Sequence, residues 1–265
     1  PEYKEEISHS YRHALQEVTY VLTALSHGST SIDGKVVRDI VERFVKIFVT
    51  DRNILLNISG IKHDPSREYV YNHSLNVCLI TINIAAAAGY GREQVIEIGM
   101  GALLHDVGML LLPGHVRTFR GRYTPDIWFE VRKHPVLGLD LLERVPHLPE
   151  SVPFVAYQVH ERESGAGYPR RRTGRYIHRF AKIVQVADIF ESVSSPRSYR
   201  GAFAPYQAME MLLKMAQKRL ISAEYVKSFL SYASLFPVGS VVELSDHRFA
   251  KIVHANGKLY DRPQV

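Results

Sequence analysis

The stretch LNVCLITINIAAAAG, residues 75–89, limits how this chain can fold more than any other feature. A run this apolar has to be enclosed by protein or lipid. It is shorter than the roughly 20 residues of a bilayer span, and Asn76, Thr81 and Asn83 interrupt it, so we expect a helix buried in a water-soluble fold and no membrane span. The chain can supply that enclosure: 265 residues, 46% hydrophobic and 23% charged, suffice for a substantial core and exclude a disordered polymer.

Apolar residues recur at helical spacing through most of the chain, punctuated by Gly, Pro and Ser clusters, and no repeat of fixed period is visible. We expect a mostly α protein, with helices near 3–26, 35–59, 68–89, 92–106, 125–145, 151–162, 179–194, 205–219 and 222–234. Pro125 and Pro205 suit a first helical turn, where a missing N–H costs nothing, and Ser222 resembles an N-cap. The second helix carries a broad apolar stripe suited to a bundle or a dimer seam. The last thirty residues contain the short β-type runs GSVVEL, RFAKIVHA and KLYDR, with Asn256-Gly257 as a type I′ hairpin signal. This divides the chain into an N-terminal helical segment at 1–60, a helical domain at 61–235 and a β tail at 236–265.

One cysteine, Cys78 in NVCLIT, excludes an internal disulfide framework and reads as a core residue in a reducing, cytoplasmic setting. No secretory signal pattern opens the chain, and PEYKEE lacks an initiator Met, as a cut from a longer chain would. The formal charge of +6 favours an anionic partner. With no basic tail and no aromatic-basic alternation, a small phosphorylated ligand fits at least as well as a polymeric nucleic acid.

The chemistry-bearing residues, in order, are His73, the pair His105-Asp106, His134, His160 and Asp188, each expected on a helix or at its end. Imidazole nitrogen with carboxylate oxygen suits Fe, Mn, Zn, Ni or Co, whereas Ca or Mg prefers oxygen alone. Bundle cores build metal sites by bringing such residues from several helices to one point. A carboxylate can also bridge two cations, which makes Asp106 the most informative position. Any one of these histidines alone is more often a hydrogen-bonded core residue. That plain reading is retained for His63, His115, His147, His178, His247 and His254.

Taken together, YNHSLNV around His73, LLHDVG, KHPVLG around His134, HERESGAGYP, VADIFES around Asp188 and SPRSYRGAF resemble the HD-GYP family, over residues 50–235 and in that family's order. The resemblance implies an HD-superfamily helical bundle and a bacterial phosphodiesterase that linearises cyclic di-GMP, giving pGpG or GMP. It implies one metal held by His73, His105, Asp106 and Asp188, and a second, bridged by Asp106, held by His134 and His160. Iron or manganese come first, with nickel, zinc or cobalt as alternatives. Asp106 and His105 would be the catalytic pair, the cations activating a water for in-line attack on phosphorus. Gly167, Tyr168 and Pro169 would form a loop over the substrate, and Arg197 and Arg200 would hold its phosphates, as forked guanidinium donors can. A homodimer through the N-terminal helices is expected. From its residues alone, Tyr168 reads equally as a stacking group or an ordinary loop aromatic, and the basic run Arg170 to Arg175 as a solvated loop before a source of positive potential that attracts an anion to a pocket mouth.

The chain departs from the family at Val159, Met109 and Ser164, where a histidine, a lysine and an aspartate are usual. The first removes a ligand, the second a cation and the third a strong acceptor. The expectation is therefore a hydrolase of reduced activity, against an alternative of a silent domain that binds a cyclic dinucleotide or a signalling partner.

Overall fold

The computed structural model describes residues 2–29, 32–50, 69–119, 121–196, 201–233, 241–253 and 262–265. Helices dominate: α1 Glu2–Ser26, α2 Gly34–Thr50, α3 Tyr69–Ala87, α4 Arg92–Leu104, α5 Gly114–Arg117, α6 Pro125–Val131, α7 His134–Leu142, α8 Ser151–Gln158, α9 Arg179–Ser194, α10 Pro205–Gln217 and α11 Ala223–Ala233. Short 3₁₀ turns cover Val107–Leu111 and Gly174–Tyr176. Strands β1 Val241–Glu243 and β2 Phe249–Lys251 pair antiparallel, with Val242 opposite Ala250.

The apolar run behaves as its composition requires. From Asn72 to Ala85 every residue of α3 is buried, and α1, α2, α4, α9 and α11 pack around it. One continuous core extends from Tyr11 in α1 to Ala233 in α11. A smaller cluster, Leu112, Val116 and Val131 with Met109 against it, lies under α5 and α6. Among the described residues, Arg92–Leu111 is the one helical stretch long and apolar enough to cross a membrane, and 72% of its most apolar window is buried inside the fold.

Three expectations need correction. The helix expected at 125–145 is two, α6 and α7, broken at Arg132 and Lys133, with Pro135 in the first turn of α7. The helix expected at 151–162 stops at Gln158, whose side-chain oxygen accepts from the His178 amide at 2.6 Å, so His160 stands on a turn. The one at 92–106 gives way after Leu104 to a 3₁₀ turn. The observed hairpin turns through Leu244 to Arg248, where Leu244 N donates to Arg248 O at 2.8 Å and His247 takes φ 65°. Asn256-Gly257, positions 51–59, Arg197 and Arg200 lie outside the described residues.

Candidate metal centre

The change of helix type at His105 makes the centre. His105 ends α4 in helical geometry (φ −57°, ψ −34°), and Asp106 follows at φ −106°, ψ 12°, leading into the 3₁₀ turn. A continuous helix would turn consecutive side chains apart by about 100°. Here both reach one point, with His105 Nε2 3.5 Å from Asp106 Oδ1. Gly108 then lets the 3₁₀ turn lie directly on the start of α7. A Cβ at this glycine would stand 2.0 Å from the His134 carbonyl oxygen and 2.7 Å from the Gly138 nitrogen.

Around Asp106 the other histidines close in. Oδ1 lies 3.2 Å from His134 Nε2 and 3.3 Å from His160 Nε2, while Oδ2 lies 3.6 Å from His73 Nε2. Asp188, from the middle of α9, stands 3.2 Å from His73 Nε2 and 3.6 Å from His160 Nδ1. The ligand atoms of His73, His105 and Asp106 lie within 4.8 Å of one another, as do those of Asp106, His134 and His160, so two metal-competent groups share Asp106. All six expected metal-site side chains therefore converge, with Asp188 outside either tight triad but against His73 and His160.

The hydrogen bonds behind the rings decide what these groups can accept. His105 Nδ1 faces the Ala102 carbonyl and His134 Nδ1 the Val131 carbonyl, each at 2.7 Å, so each Nδ1 carries the proton. Their Nε2 lone pairs then point at Asp106, itself an acceptor, and both atoms are buried without a hydrogen-bond partner among the described residues. A metal cation or a proton between these atoms relieves that clash, so the group is competent to hold a cation. This donor set fits a first-row divalent metal.

Residues that sequence reasoning missed support the ligands. Glu191 Oε2 takes a short hydrogen bond from His73 Nδ1, and Glu191 is held by Tyr69 Oη at 2.6 Å, Ser195 Oγ at 2.7 Å and Asn76 Nδ2 at 3.3 Å. Asn76 Oδ1 in turn accepts from Tyr11 Oη of α1 at 2.9 Å. The helical offsets were available: Tyr69 is four residues before His73 and Glu191 three after Asp188. Gln185 Nε2 donates to the carbonyls of Val159, at 3.0 Å, and Glu161, clamping the backbone on both sides of His160.

The electrostatics follow the cluster's two signs. Burial pushes the Asp106 and Asp188 carboxyls up, but the neighbouring imidazoles outweigh it and hold both below the usual range. Burial pushes His73 down, yet Glu191, Asp188 and Asp106 outweigh it and raise the ring to about 10. His160 is lowered, by burial first and by the nearby His134. Burial would raise Glu191, but His73 holds it at about 2.

The glycine-rich loop is organised from behind by Glu161, which is fully buried. Its carboxylate accepts from Arg170 N at 2.7 Å and Arg172 N at 2.8 Å, and Tyr168 N donates to His160 O at 3.1 Å. Gly167 lies against this turn: a Cβ there would meet the Glu161 and Arg162 backbone at 2.4 Å. The Tyr168–Pro169 peptide is cis. Tyr168 stacks on His160, ring centres 4.9 Å apart, so the loop roofs the second triad. Burial raises its phenol, keeping it protonated and able to donate.

The departing positions are accommodated elsewhere. Val159 is fully buried in the main core, Met109 packs with Leu112, Val116 and Val131, and Ser164 bridges to Thr173. The histidines read plainly stay apart: His178 caps α9 by accepting from Phe180 N at 3.3 Å, His147 lies 3.6 Å from Asp33 and His247 pairs with Glu243 at 2.8 Å. His63 and His254 lie outside the described residues.

A helical bundle that gathers histidines and aspartates around one shared carboxylate defines a class of metal-binding folds. Within that class, the HD-domain family model matches residues 65–222, more than half of the sequence. The chain belongs to the HD-domain family. It is 28% identical over 236 residues to a cyclic di-GMP phosphodiesterase of Pseudomonas aeruginosa, covering 89% of this chain and 56% of that protein. It is 24% identical over 200 residues to the cyclic di-GMP phosphodiesterase PdeB of Borreliella burgdorferi, covering 76% and 52%. The chain thus spans about half the length of the curated relatives it matches. In fold it is similar to an HDG"Y"P protein from Bdellovibrio bacteriovorus, with TM-score 0.68 at 16% identity, covering 83% of this chain and 69% of that one.

Proposed function

We propose that this protein is a metal-dependent phosphodiesterase that hydrolyses cyclic di-GMP, or a related cyclic dinucleotide, to pGpG or GMP. The observation that carries the reading is the pair of buried, unpartnered Nε2 atoms of His105 and His134 aimed at Asp106. In this reading His73, His105, Asp106 and Asp188 hold one cation, iron or manganese before nickel, zinc or cobalt, and His134 and His160 hold a second that Asp106 bridges. Bound there, such a cation supplies Lewis acidity, lowering the pKa of a water and drawing charge from phosphoryl oxygens. The chain's own residues do the rest. The Nδ1 anchors and Glu191 keep the imidazoles oriented. The roof formed by Gly167, Tyr168 and Pro169 limits water, and the Tyr168 hydroxyl donates to a substrate oxygen. Arg197 and Arg200 bind the phosphates.

In the same proposal residues 61–235 carry the site, 236–265 form an appended β tail, and 1–60 contribute a homodimer seam, consistent with exposed Tyr20 and Val36 on α1 and α2. The setting is cytoplasmic, in keeping with a lone cysteine that is buried.

A second reading, a receptor that binds the dinucleotide without turnover, is favoured by Val159 and Met109. Both side chains are committed to apolar packing, which leaves the second triad without a further nitrogen or a lysine. One experiment separates the two: reconstitute the protein with iron or manganese, count metal per chain and follow cyclic di-GMP by chromatography. The hydrolase reading expects pGpG or GMP to appear, and Asp106→Ala to abolish it and lower the metal count. A metal-loaded protein that binds the dinucleotide and leaves it intact establishes the receptor.

A further inference from the structure

Beside the roof lies a cavity of about 320 Å³ lined by Trp128, Arg132, Gly165, Ala166, Tyr168 and Arg171. Its walls are aromatic and cationic. Trp128 stands edge-on to Tyr168 with ring centres 5.6 Å apart, and Tyr123 stacks behind Trp128 at 6.2 Å. The Arg132 guanidinium lies 5.3 Å from the Tyr168 ring centre. Among the described residues neither Arg132 nor Arg171 has a carboxylate partner, although Glu130, Glu161 and Glu163 are close in sequence and are occupied by Lys133, by backbone amides and by Lys182. Arg171 also takes φ 56°, in the left-handed region that ordinary residues seldom occupy. The buried Glu161 carboxylate fixes it there, gripping the amides on either side and leaving the Arg171 side chain at the cavity.

Unpaired guanidiniums beside a stacking surface are what a nucleotide requires: a flat π-face for the base and forked donors for phosphate. We propose that this cavity is an outer nucleotide subsite, taking one purine nucleotide half of the substrate with its base on Trp128 and its phosphate on Arg132 and Arg171. Its volume sits at the lower end of the roughly 300–1,000 Å³ range of small-ligand sites, fitting one half of a cyclic dinucleotide. Tyr168 joins the two places, since one ring face stacks on His160 while the same ring walls the cavity. Trp128 and Arg132 therefore determine which nucleotide is admitted. The inference rests on the phosphodiesterase reading for its ligand, but its test does not depend on turnover.

Trp128 is the sole tryptophan of the chain, so its fluorescence reports this cavity alone. Titrating the metal-free full chain with GMP and with cyclic di-GMP is expected to quench that emission saturably. Guanosine should bind about tenfold more weakly than GMP, and inorganic phosphate should leave the emission unchanged. Arg132→Met should weaken GMP binding at least tenfold while the far-ultraviolet dichroism stays unchanged. In the metal-loaded enzyme, Trp128→Phe and Arg132→Met should raise KM for cyclic di-GMP several-fold while the metal count per chain stays unchanged. Turnover of cyclic di-GMP without nucleotide quenching, or with KM unmoved by both variants, overturns the subsite and leaves the phosphodiesterase reading standing. Quenching with no turnover under any metal does the reverse.

Discussion

At the scale of single residues, the candidate ligands owe their geometry to groups outside the cluster. His73 is oriented by Glu191, whose carboxyl is held at about 2 in the fold, below its ordinary value of about 4.3. A depressed carboxyl contributes stability that is present above the ordinary value and lost as pH falls through the folded one. The metal-free protein is therefore expected to lose about 3 kcal/mol of stability between about pH 5 and pH 2 through this group. Glu191→Gln should remove that acid limb in urea titrations at successive pH values. It should also weaken metal binding by about 10- to 100-fold, read by competition with a chelating dye. The six candidate ligands were legible because imidazoles and carboxylates are rare inside apolar helices and here recur within recognisable strings. Glu191, Tyr69 and Gln185 were not, because a glutamate, tyrosine or glutamine on a helix ordinarily faces water, and only the packing of α9 on α3 turns these inward.

At the scale of elements, the site depends on interruptions rather than on helices. The breaks after Leu104, at Arg132-Lys133 and after Gln158 place His105-Asp106, His134 and His160 where helix ends meet. Helical periodicity continues across each break, which is why the sequence suggested unbroken helices at 125–145 and 151–162. Pro135 carried the missing signal, since proline belongs in the first turn of a helix. Gly108 binds two of these ends together, so Gly108→Ala should force the 3₁₀ turn off α7. We expect a loss of about 3 kcal/mol in denaturant unfolding, together with reduced metal stoichiometry, because Asp106 and His134 separate.

At the scale of the whole molecule, α1 belongs to the same structure as the site. Tyr11 Oη donates to Asn76, Asn76 to Glu191, and Glu191 faces His73, linking α1, α3 and α9 through buried polar contacts. Tyr11→Phe leaves a buried acceptor unsatisfied and should cost about 1–3 kcal/mol by thermal or urea unfolding. Its effect on metal affinity should be smaller than that of Glu191→Gln, because one more hydrogen bond intervenes. The enclosed helix predicted from residues 75–89 could be read at this scale, since only a surrounding bundle can hide it. The alignment of Tyr11 with that bundle's polar seam could not, because helix rotation is set by packing partners remote in sequence.

The Glu161 carboxylate holds the roof through the backbone amides of Arg170 and Arg172. A side chain that this carboxylate does not touch, such as that of Arg171, can therefore be exchanged without losing the shape that the buried charge imposes. A change confined to such an outward side chain alters the surface that meets a guest and leaves the buried His and Asp cluster beneath it in place.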